Sequence, residues 1–261
     1  MQTISTSDIT LHIRDDGPRN GRVVLFGNSL GTDLRVWDAL IPLLPDDLRI
    51  VRYDKRGHGL SDASPAPYSL DQLVADAEAV CDGLGLRDIT FVGLSIGGLI
   101  GQGLAAKRPD LVHALVLMDT AAQIGTAAMW QDRIDTINRN GVASLADAIL
   151  ERWFTPAFRD TNPEFALWRN MLIRTSVAGY TGCCAAIAAA DLTESTRALS
   201  LPVMAMAGDQ DGSTPPDLVR ATADLCGAPF HVIPDAGHIP CVEQPRATAR
   251  LLTEFLQGTA S

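Results

Sequence analysis

The sequence predicts an α/β fold with a mostly parallel central sheet, helices on both of its faces and a helical cap insertion. Three observations predict it. Apolar runs typical of strands alternate with segments of helical spacing, as in a parallel sheet with helical crossovers. One long stretch, 122–196, has helical patterning and no convincing strand. A Gly-Leu-Ser-Ile-Gly motif at 93–97 separates a strand-like run from a helix-like run, at the strand end where such sheets gather their chemistry.

Seven short runs predict the strands. The first, 9–14, alternates apolar and polar residues and precedes a Pro-Arg-Asn-Gly turn. The second, 22–26, is continuously apolar, as expected of a strand buried on both faces. The remaining five predicted strands are 49–54, 89–92, 114–118, 203–207 and 230–233.

Four segments predict helices of the central fold. In 69–84, apolar residues recur at helical spacing and Ser69 is a plausible N-cap. The others are 98–106, directly after the glycine motif, and 216–225 and 244–255 near the end of the chain. The predicted organisation is a core of 1–121 and 197–261, with 122–196 as a helical cap. We expect most of the cap's aromatic residues to pack its own core.

The composition excludes several classes of partner. The 261-residue chain is 46% apolar and carries a formal net charge of −10, so nucleic acid and membrane surfaces are not expected partners. No apolar run reaches the roughly 18 residues of a membrane span, and the N-terminus lacks the features of a signal peptide. We therefore expect a cytoplasmic protein. A homo-oligomer is compatible with the sequence.

The cysteines do not indicate a metal site or a disulfide framework. Their number is odd and their spacing matches neither pattern. We expect reduced, buried thiols at the five positions Cys81, Cys183, Cys184, Cys226 and Cys241.

The glycine motif predicts that Ser95 is a catalytic nucleophile. A Gly-x-Ser-x-Gly between a strand and a helix is the signature of a nucleophile elbow. Glycine fits beside the serine because the turn is tight. The helix N-terminus behind Ser95 favours the negative charge that develops during acyl transfer.

The acid of a serine–histidine–acid triad should follow the serine in the chain, directly after a late strand. The strand predicted at 203–207 leads into a loop with two carboxylates, Asp209 and Asp211. We choose Asp211 because it lies further into the loop, and we keep Asp209 as the close rival. Asp119, after the strand predicted at 114–118, is a weaker alternative.

The same order of serine, acid and histidine along the chain predicts the catalytic histidine, and the strand ends predict the oxyanion hole. His238 lies on the loop after the last predicted strand, where the triad base is expected. The oxyanion hole requires two backbone N–H groups: Ile96, which follows the nucleophile, and a donor after the second strand, either Asn28 or Ser29. The other histidines fit less well, because they lie in or before strands or in a turn: His12, His58, His113 and His231.

The chain resembles the α/β-hydrolase superfamily and, within it, the 3-oxoadipate enol-lactonases. The first specific match is the segment 27–37, whose Asn-Ser-Leu-Gly-Thr-Asp loop stands where many relatives carry His-Gly. The motif at 52–61 is shared more widely. Further matches lie in the cap, whose sequence usually diverges between hydrolase families, at 120–124, 130–134, 152–156 and 179–187. One departure is Ala188, where relatives often carry arginine.

The resemblance implies a serine hydrolase that opens a small lactone without a metal or an organic cofactor. Its substrate would carry a carboxylate, so a cationic partner is expected near the cap. Arg133, beside Trp130, is the first candidate and Arg174 the second.

Three alternatives remain at this point. One is a carboxylesterase or lactonase for other small esters, and another is a cofactor-free perhydrolase. Both use the same triad. The third is a non-catalytic binding protein of the same fold, which would be expected to have lost a triad residue.

Overall fold

A computed structural model describes residues 1–259 of the chain. Within these residues, eight strands form one sheet in the order β1-β2-β4-β3-β5-β6-β7-β8. The strands are β1 (Gln2–Ser5), β2 (Thr10–Asp16), β3 (Arg22–Gly27), β4 (Leu48–Tyr53), β5 (Ile89–Leu94), β6 (Val112–Met118), β7 (Val203–Gly208) and β8 (Phe230–Ile233).

The sheet is parallel from β4 to β8 and antiparallel at its β1–β2 edge. Every residue of β4, β5 and β7 is buried, which explains why these strands are continuous apolar runs in the sequence. The prediction of a mostly parallel sheet is confirmed. β1 was not predicted, because it is a short edge strand with mostly exposed residues and has no clear apolar alternation.

Eleven α-helices lie within residues 1–259. They are α1 (Leu70–Leu84), α2 (Ile96–Lys107), α3 (Ala127–Asn140), α4 (Ala146–Trp153), α5 (Pro156–Thr161), α6 (Phe165–Ile173), α7 (Val177–Ala189), α8 (Thr193–Arg197), α9 (Pro216–Leu225), α10 (Pro240–Glu243) and α11 (Pro245–Gly258).

Helix α1 begins as the sequence predicts. The Ser69 hydroxyl accepts a hydrogen bond from the Gln72 N–H at 3.1 Å, and the Gln72 side chain accepts one from the Ser69 N–H at 2.9 Å. This reciprocal pair is a capping box. The buried face of α1 includes Leu73, Val74 and Ala77, so its helical periodicity corresponds to burial.

Helices α3 to α8 connect β6 to β7, and the described chain has no strand between them. This is the cap segment, residues 122–196; its status as a separate domain stays a prediction. Its aromatic side chains pack mainly on one another, as expected. Phe154 stacks on Phe158 with ring centroids 4.6 Å apart, and Phe165 and Trp168 also contact Phe154.

No individual helix in the described chain has the length and apolar character of a membrane span. The pair Phe165–Ile173 and Val177–Ala189, bent by 87° at its break, meets these criteria only when the two helices are taken together.

Candidate active site

Ser95 forms the sharp turn between β5 and α2. Its φ of 58° and ψ of −120° lie outside the regions that non-glycine residues usually adopt. Hydrogen bonds hold this strained residue in place: its N–H donates to the Met118 carbonyl at 3.0 Å, and its carbonyl accepts from the Thr120 hydroxyl at 2.6 Å. The predicted elbow geometry is therefore present, with the helix N-terminus directly after Ser95.

The two glycines of the motif are required by close backbone contacts. A Cβ on Gly97 would collide with the carbonyl of Gly27 in β3, and a Cβ on Gly93 would collide with the carbonyl of Gly97. The missing side chains allow the first turn of α2 to lie directly against the sheet. This close approach sets the position of Ser95.

Asp211 and His238 meet at the carboxyl ends of the neighbouring strands β7 and β8. His238 Nδ1 lies 2.9 Å from Asp211 Oδ2, and both side chains are buried. The Asp211 carboxylate also accepts hydrogen bonds from the N–H groups of Ser213 and Thr214 and from the Thr214 hydroxyl, at 2.7, 3.0 and 2.7 Å. Burial opposes ionisation of Asp211, but His238 and these donors outweigh it and lower the pKa of the carboxyl.

The other ring nitrogen of His238, Nε2, points toward the loop after β3, which carries Ser29. Nε2 lies 3.5 Å from the Ser29 hydroxyl. The Ser95 hydroxyl makes no hydrogen bond to any described residue. In serine hydrolases without substrate, the hydrogen bond between the serine hydroxyl and the histidine is often long, and it shortens when substrate binds. The His238 N–H donates to the Trp153 carbonyl at 2.8 Å, so the cap segment helps to fix the histidine loop.

The two rival acids occupy different positions. Asp209 is exposed, and its carboxylate accepts from the Ala236 N–H at 3.1 Å, which stabilises the turn of the histidine loop. Asp119 is fully buried beside Asp211 and His238. The geometry therefore pairs His238 with Asp211, while Asp119 lies close to both of them.

One cluster among the described residues could offer three metal-ligand atoms: Asp119, Asp211 and His238. Two of these residues already bond to each other, since His238 Nδ1 pairs with Asp211 Oδ2. That bond occupies the ring nitrogen that faces the carboxylates. An acid–histidine pair therefore accounts for two of the three residues without an ion.

The loop after β3 is fixed by its own side chains. Asn28 donates from its amide to the Tyr53 carbonyl at 2.7 Å and accepts from the indole N–H of Trp37 at 2.7 Å. The backbone N–H groups of Asn28, Ser29 and Ile96 have no acceptor among residues 1–259. All three are thus available for an oxyanion, and the choice between Asn28 and Ser29 stays open.

Two buried side chains from the 52–61 motif support this loop, and sequence reasoning gave neither a role. His58 Nε2 accepts from the Gly31 N–H at 3.0 Å, while Nδ1 donates to the Arg56 carbonyl at 3.1 Å. Lys55 donates to the carbonyls of Ser29 and Thr32 at 2.5 and 3.2 Å. Burial lowers the pKa of Lys55 to about 8. The shared motif at 52–61 was a signal that these residues matter. Their partners on the loop after β3 are too distant in the chain to be inferred from the sequence.

The cap segment covers the oxyanion loop. Gly31 (φ 77°) faces Leu172, Tyr180 and Trp153, leaving no room for a Cβ. The Arg133 guanidinium lies over the Trp130 ring, 4.8 Å from its centroid.

Arg133 also lies close enough to Tyr180 for its charge to oppose the rise in the pKa of that phenol, which burial causes. The first predicted substrate contacts, Trp130 and Arg133, therefore adjoin a residue that packs on the oxyanion loop. Ala188 is partly buried and packs against the hydrophobic core from α7.

Arg174 lies elsewhere. It is exposed at the end of α6 and lines a cavity of about 800 Å³ whose walls include none of Ser95, Asp211 and His238.

Comparison with known proteins identifies the family of the chain. A family model described as the alpha/beta hydrolase fold matches residues 22–245. 3-Oxoadipate enol-lactonase 2 of Acinetobacter baylyi is 36% identical over 249 residues, which cover 94% of this chain and 92% of that protein.

Two solved structures are also similar. The enol-lactonase from Burkholderia xenovorans LB400 gives a TM-score of 0.95 at 35% identity, covering 98% of this chain and 100% of that one. A thermophilic esterase from Thermogutta terrifontis, with malate bound, gives 0.92 at 28% identity, covering 100% and 99%. The chain therefore belongs to the α/β hydrolase fold family, in the group that contains the 3-oxoadipate enol-lactonases.

Proposed function

We propose that the protein is a serine hydrolase that opens 3-oxoadipate enol-lactone to 3-oxoadipate, a step of the β-ketoadipate pathway of aromatic catabolism. The observation that carries the chemistry is the buried Asp211–His238 hydrogen bond, which lies at the same edge of the sheet as the Ser95 elbow. The substrate assignment is supported by the similarity to enol-lactonases over almost the whole chain.

In the first step, the Ser95 hydroxyl attacks the lactone carbonyl and His238 Nε2 accepts its proton. The Asp211 carboxylate holds Nδ1–H and stabilises the imidazolium that forms. The resulting oxyanion accepts hydrogen bonds from the Ile96 N–H and from the N–H of Asn28 or Ser29. Each such donor contributes about 3 kcal/mol to transition-state stabilisation.

Collapse of the tetrahedral intermediate breaks the ring C–O bond, and the enol oxygen leaves with the proton from His238. An enolate is a better leaving group than an alkoxide, so this step depends less on protonation of the leaving oxygen by His238. The enol remains tethered to the acyl group, and its conversion to the ketone prevents the ring from closing again. His238 then activates a water that hydrolyses the Ser95 ester, releasing 3-oxoadipate and regenerating the hydroxyl.

Arg133 is the proposed partner of the substrate carboxylate. It is half-buried, it lies over the Trp130 ring, and its charge acts on nearby Tyr180, which packs on Gly31 of the oxyanion loop. A guanidinium in such a partly dry position binds a carboxylate more strongly than one in water does. Arg174 is the weaker candidate because it lines the separate cavity.

Replacing Arg133 by alanine is expected to raise KM for the enol-lactone about 10- to 100-fold with a smaller effect on kcat, because a charge-assisted hydrogen bond is lost. Steady-state kinetics measure both constants. The matched control is Arg139→Ala, an exposed arginine on the same helix, which should leave KM unchanged. An unchanged KM in Arg133→Ala, or a rise in Arg174→Ala instead, would exclude Arg133 as the carboxylate partner.

The substrate itself is tested by comparing kcat/KM for the enol-lactone with that for simple aryl and alkyl esters of similar size. We expect the enol-lactone to be preferred by at least about 100-fold, since only it uses both the triad and the carboxylate partner. Equal or better turnover of simple esters would favour the second candidate, a small-ester esterase. That candidate is supported by the similarity to the Thermogutta terrifontis esterase.

A further inference from the structure

Asp119 is a buried acid that the proposed mechanism does not use. It follows β6, which lies in the sheet between β5 and β7, so it stands between the strands that carry Ser95 and Asp211. Its side chain is fully buried and its φ is 45°, in the region that favours glycine. A strained, buried acid at this position calls for a physical reason.

The two oxygens of Asp119 have different surroundings. Oδ1 accepts a hydrogen bond from the Gly208 N–H at 2.9 Å. Oδ2 is buried, and no group within residues 1–259 donates a hydrogen bond to it. Yet Asp119, Asp211 and His238 each offer a polar atom within 4.8 Å of the others. The unpaired oxygen therefore belongs to a carboxyl that lies beside another carboxyl.

Two carboxylates this close in a dry site do not both ionise. Asp211 has four donors: His238 Nδ1, the Ser213 and Thr214 N–H groups, and the Thr214 hydroxyl. Asp119 has a single donor, Gly208. These donors therefore favour the negative charge on Asp211 and the proton on Asp119. Burial and the charge of Asp211 both raise the pKa of Asp119 well above its usual range.

We propose that Asp119 is a protonated positioning residue whose carboxyl hydroxyl donates a hydrogen bond to Asp211, so that the two acids share one negative charge opposite His238. The proposal rests on the proposed roles of Asp211 and His238. This arrangement explains why Asp119 Oδ2 is buried without a donor, because the oxygen carries a proton and itself donates. It also gives Asp211 a hydrogen bond from the residue that follows β6.

Few titratable groups among residues 1–259 face Asp119. Asp211 and His238 lie against it, and the more distant Glu243 carboxylate adds to its proton affinity. Cys241 is a buried thiol nearby whose pKa is raised, mainly by burial, so it stays neutral. A change in the pH dependence of His238 chemistry after a substitution at Asp119 can therefore be assigned to the acid pair.

The test uses the rate at which a fluorophosphonate phosphonylates Ser95, with loss of fluoride, as a function of pH. This rate requires neutral His238, and it makes no assumption about the natural substrate. In Asp119→Asn the amide keeps a donor for Asp211 and an acceptor for Gly208. We expect its rate to stay within about threefold of the unsubstituted protein, with the acid limb of the profile unmoved, because the residue replaced was already neutral.

Asp119→Leu removes the donor without leaving a large cavity. We expect labelling to slow roughly 10- to 100-fold and the acid limb to move upward by about half to one pH unit, since His238 then faces an unshared charge. A purely structural role would lower the melting temperature and leave the acid limb in place. If the acid limb of Asp119→Asn moves to lower pH, Asp119 was ionised and the proposal is wrong.

Infrared spectroscopy gives an independent measurement of the proton. At neutral pH the protein should show the C=O stretching band of a protonated carboxyl, which disappears in Asp119→Asn and persists in Glu243→Gln. Absence of the band from the unsubstituted protein would overturn the proposal. Failure of the proposed triad would look different: Asp211→Asn would label as fast as the unsubstituted protein, while the infrared result would still decide the state of Asp119.

Discussion

Replacing Ser95 by alanine is expected to lower kcat for the enol-lactone by about 10⁴- to 10⁶-fold, the range seen when a triad nucleophile is removed. The reason is that Ser95 lies at the helix N-terminus, next to the free N–H of Ile96, where the acyl-enzyme would form. Within residues 1–259, no other serine is held in that position. KM should change little, because the hydroxyl contributes mainly to the transition state.

The measurement is single-turnover and steady-state kinetics together with fluorophosphonate labelling. Ser144→Ala removes an exposed serine of the cap segment and serves as the control, which should keep full activity and labelling. Unaltered folding is checked by the melting temperature. Labelling that persisted in Ser95→Ala, or activity above about one tenth of the control, would remove Ser95 from the mechanism.

Replacing Gly97 by alanine is the second change with a large expected effect, here on folding. The added Cβ would collide with the carbonyl of Gly27. Backbone atoms cannot move aside as a flexible side chain can, so α2 must shift away from β3. We expect the free energy of unfolding to fall by about 3 kcal/mol or more, and activity to fall as well, because the shift moves Ser95.

Chemical denaturation with a matched glycine control tests this prediction. Gly258 lies in α11, and a Cβ there would meet no atom within 4 Å. Gly258→Ala should therefore leave stability unchanged or raise it by up to about 1 kcal/mol, through helix propensity. If Gly97→Ala proved as stable as Gly258→Ala, the close approach of α2 to β3 would not limit this position.

The core elements were predictable because they are local. β4, β5 and β7 are buried along their whole length, so burial leaves a continuous apolar run in the sequence. Helix α1 has an apolar face, and its capping residues Ser69 and Gln72 are only three positions apart in the chain. In contrast, β1 and α10 have four residues each, too few to establish a period, and neither was predicted.

The candidate site was predictable only in part. The order of Ser95, Asp211 and His238 follows from the order of strands, because parallel neighbours end at the same edge. The roles of Lys55 and His58 could not be predicted, since their partners lie on the loop after β3. Nor does the order of residues choose between the N–H groups of Asn28 and Ser29, which are both unpaired.

The sequence by itself determined the strand and helix pattern, the elbow at Ser95 and the family to which the chain belongs. These properties are carried by residues close together in the chain, whose spacing is a direct consequence of backbone geometry. Only the tertiary structure decided which acid faces His238, and that Asp119 lies against Asp211. Contacts between strand ends depend on the packing of distant segments, and the charge on a buried acid depends on those contacts.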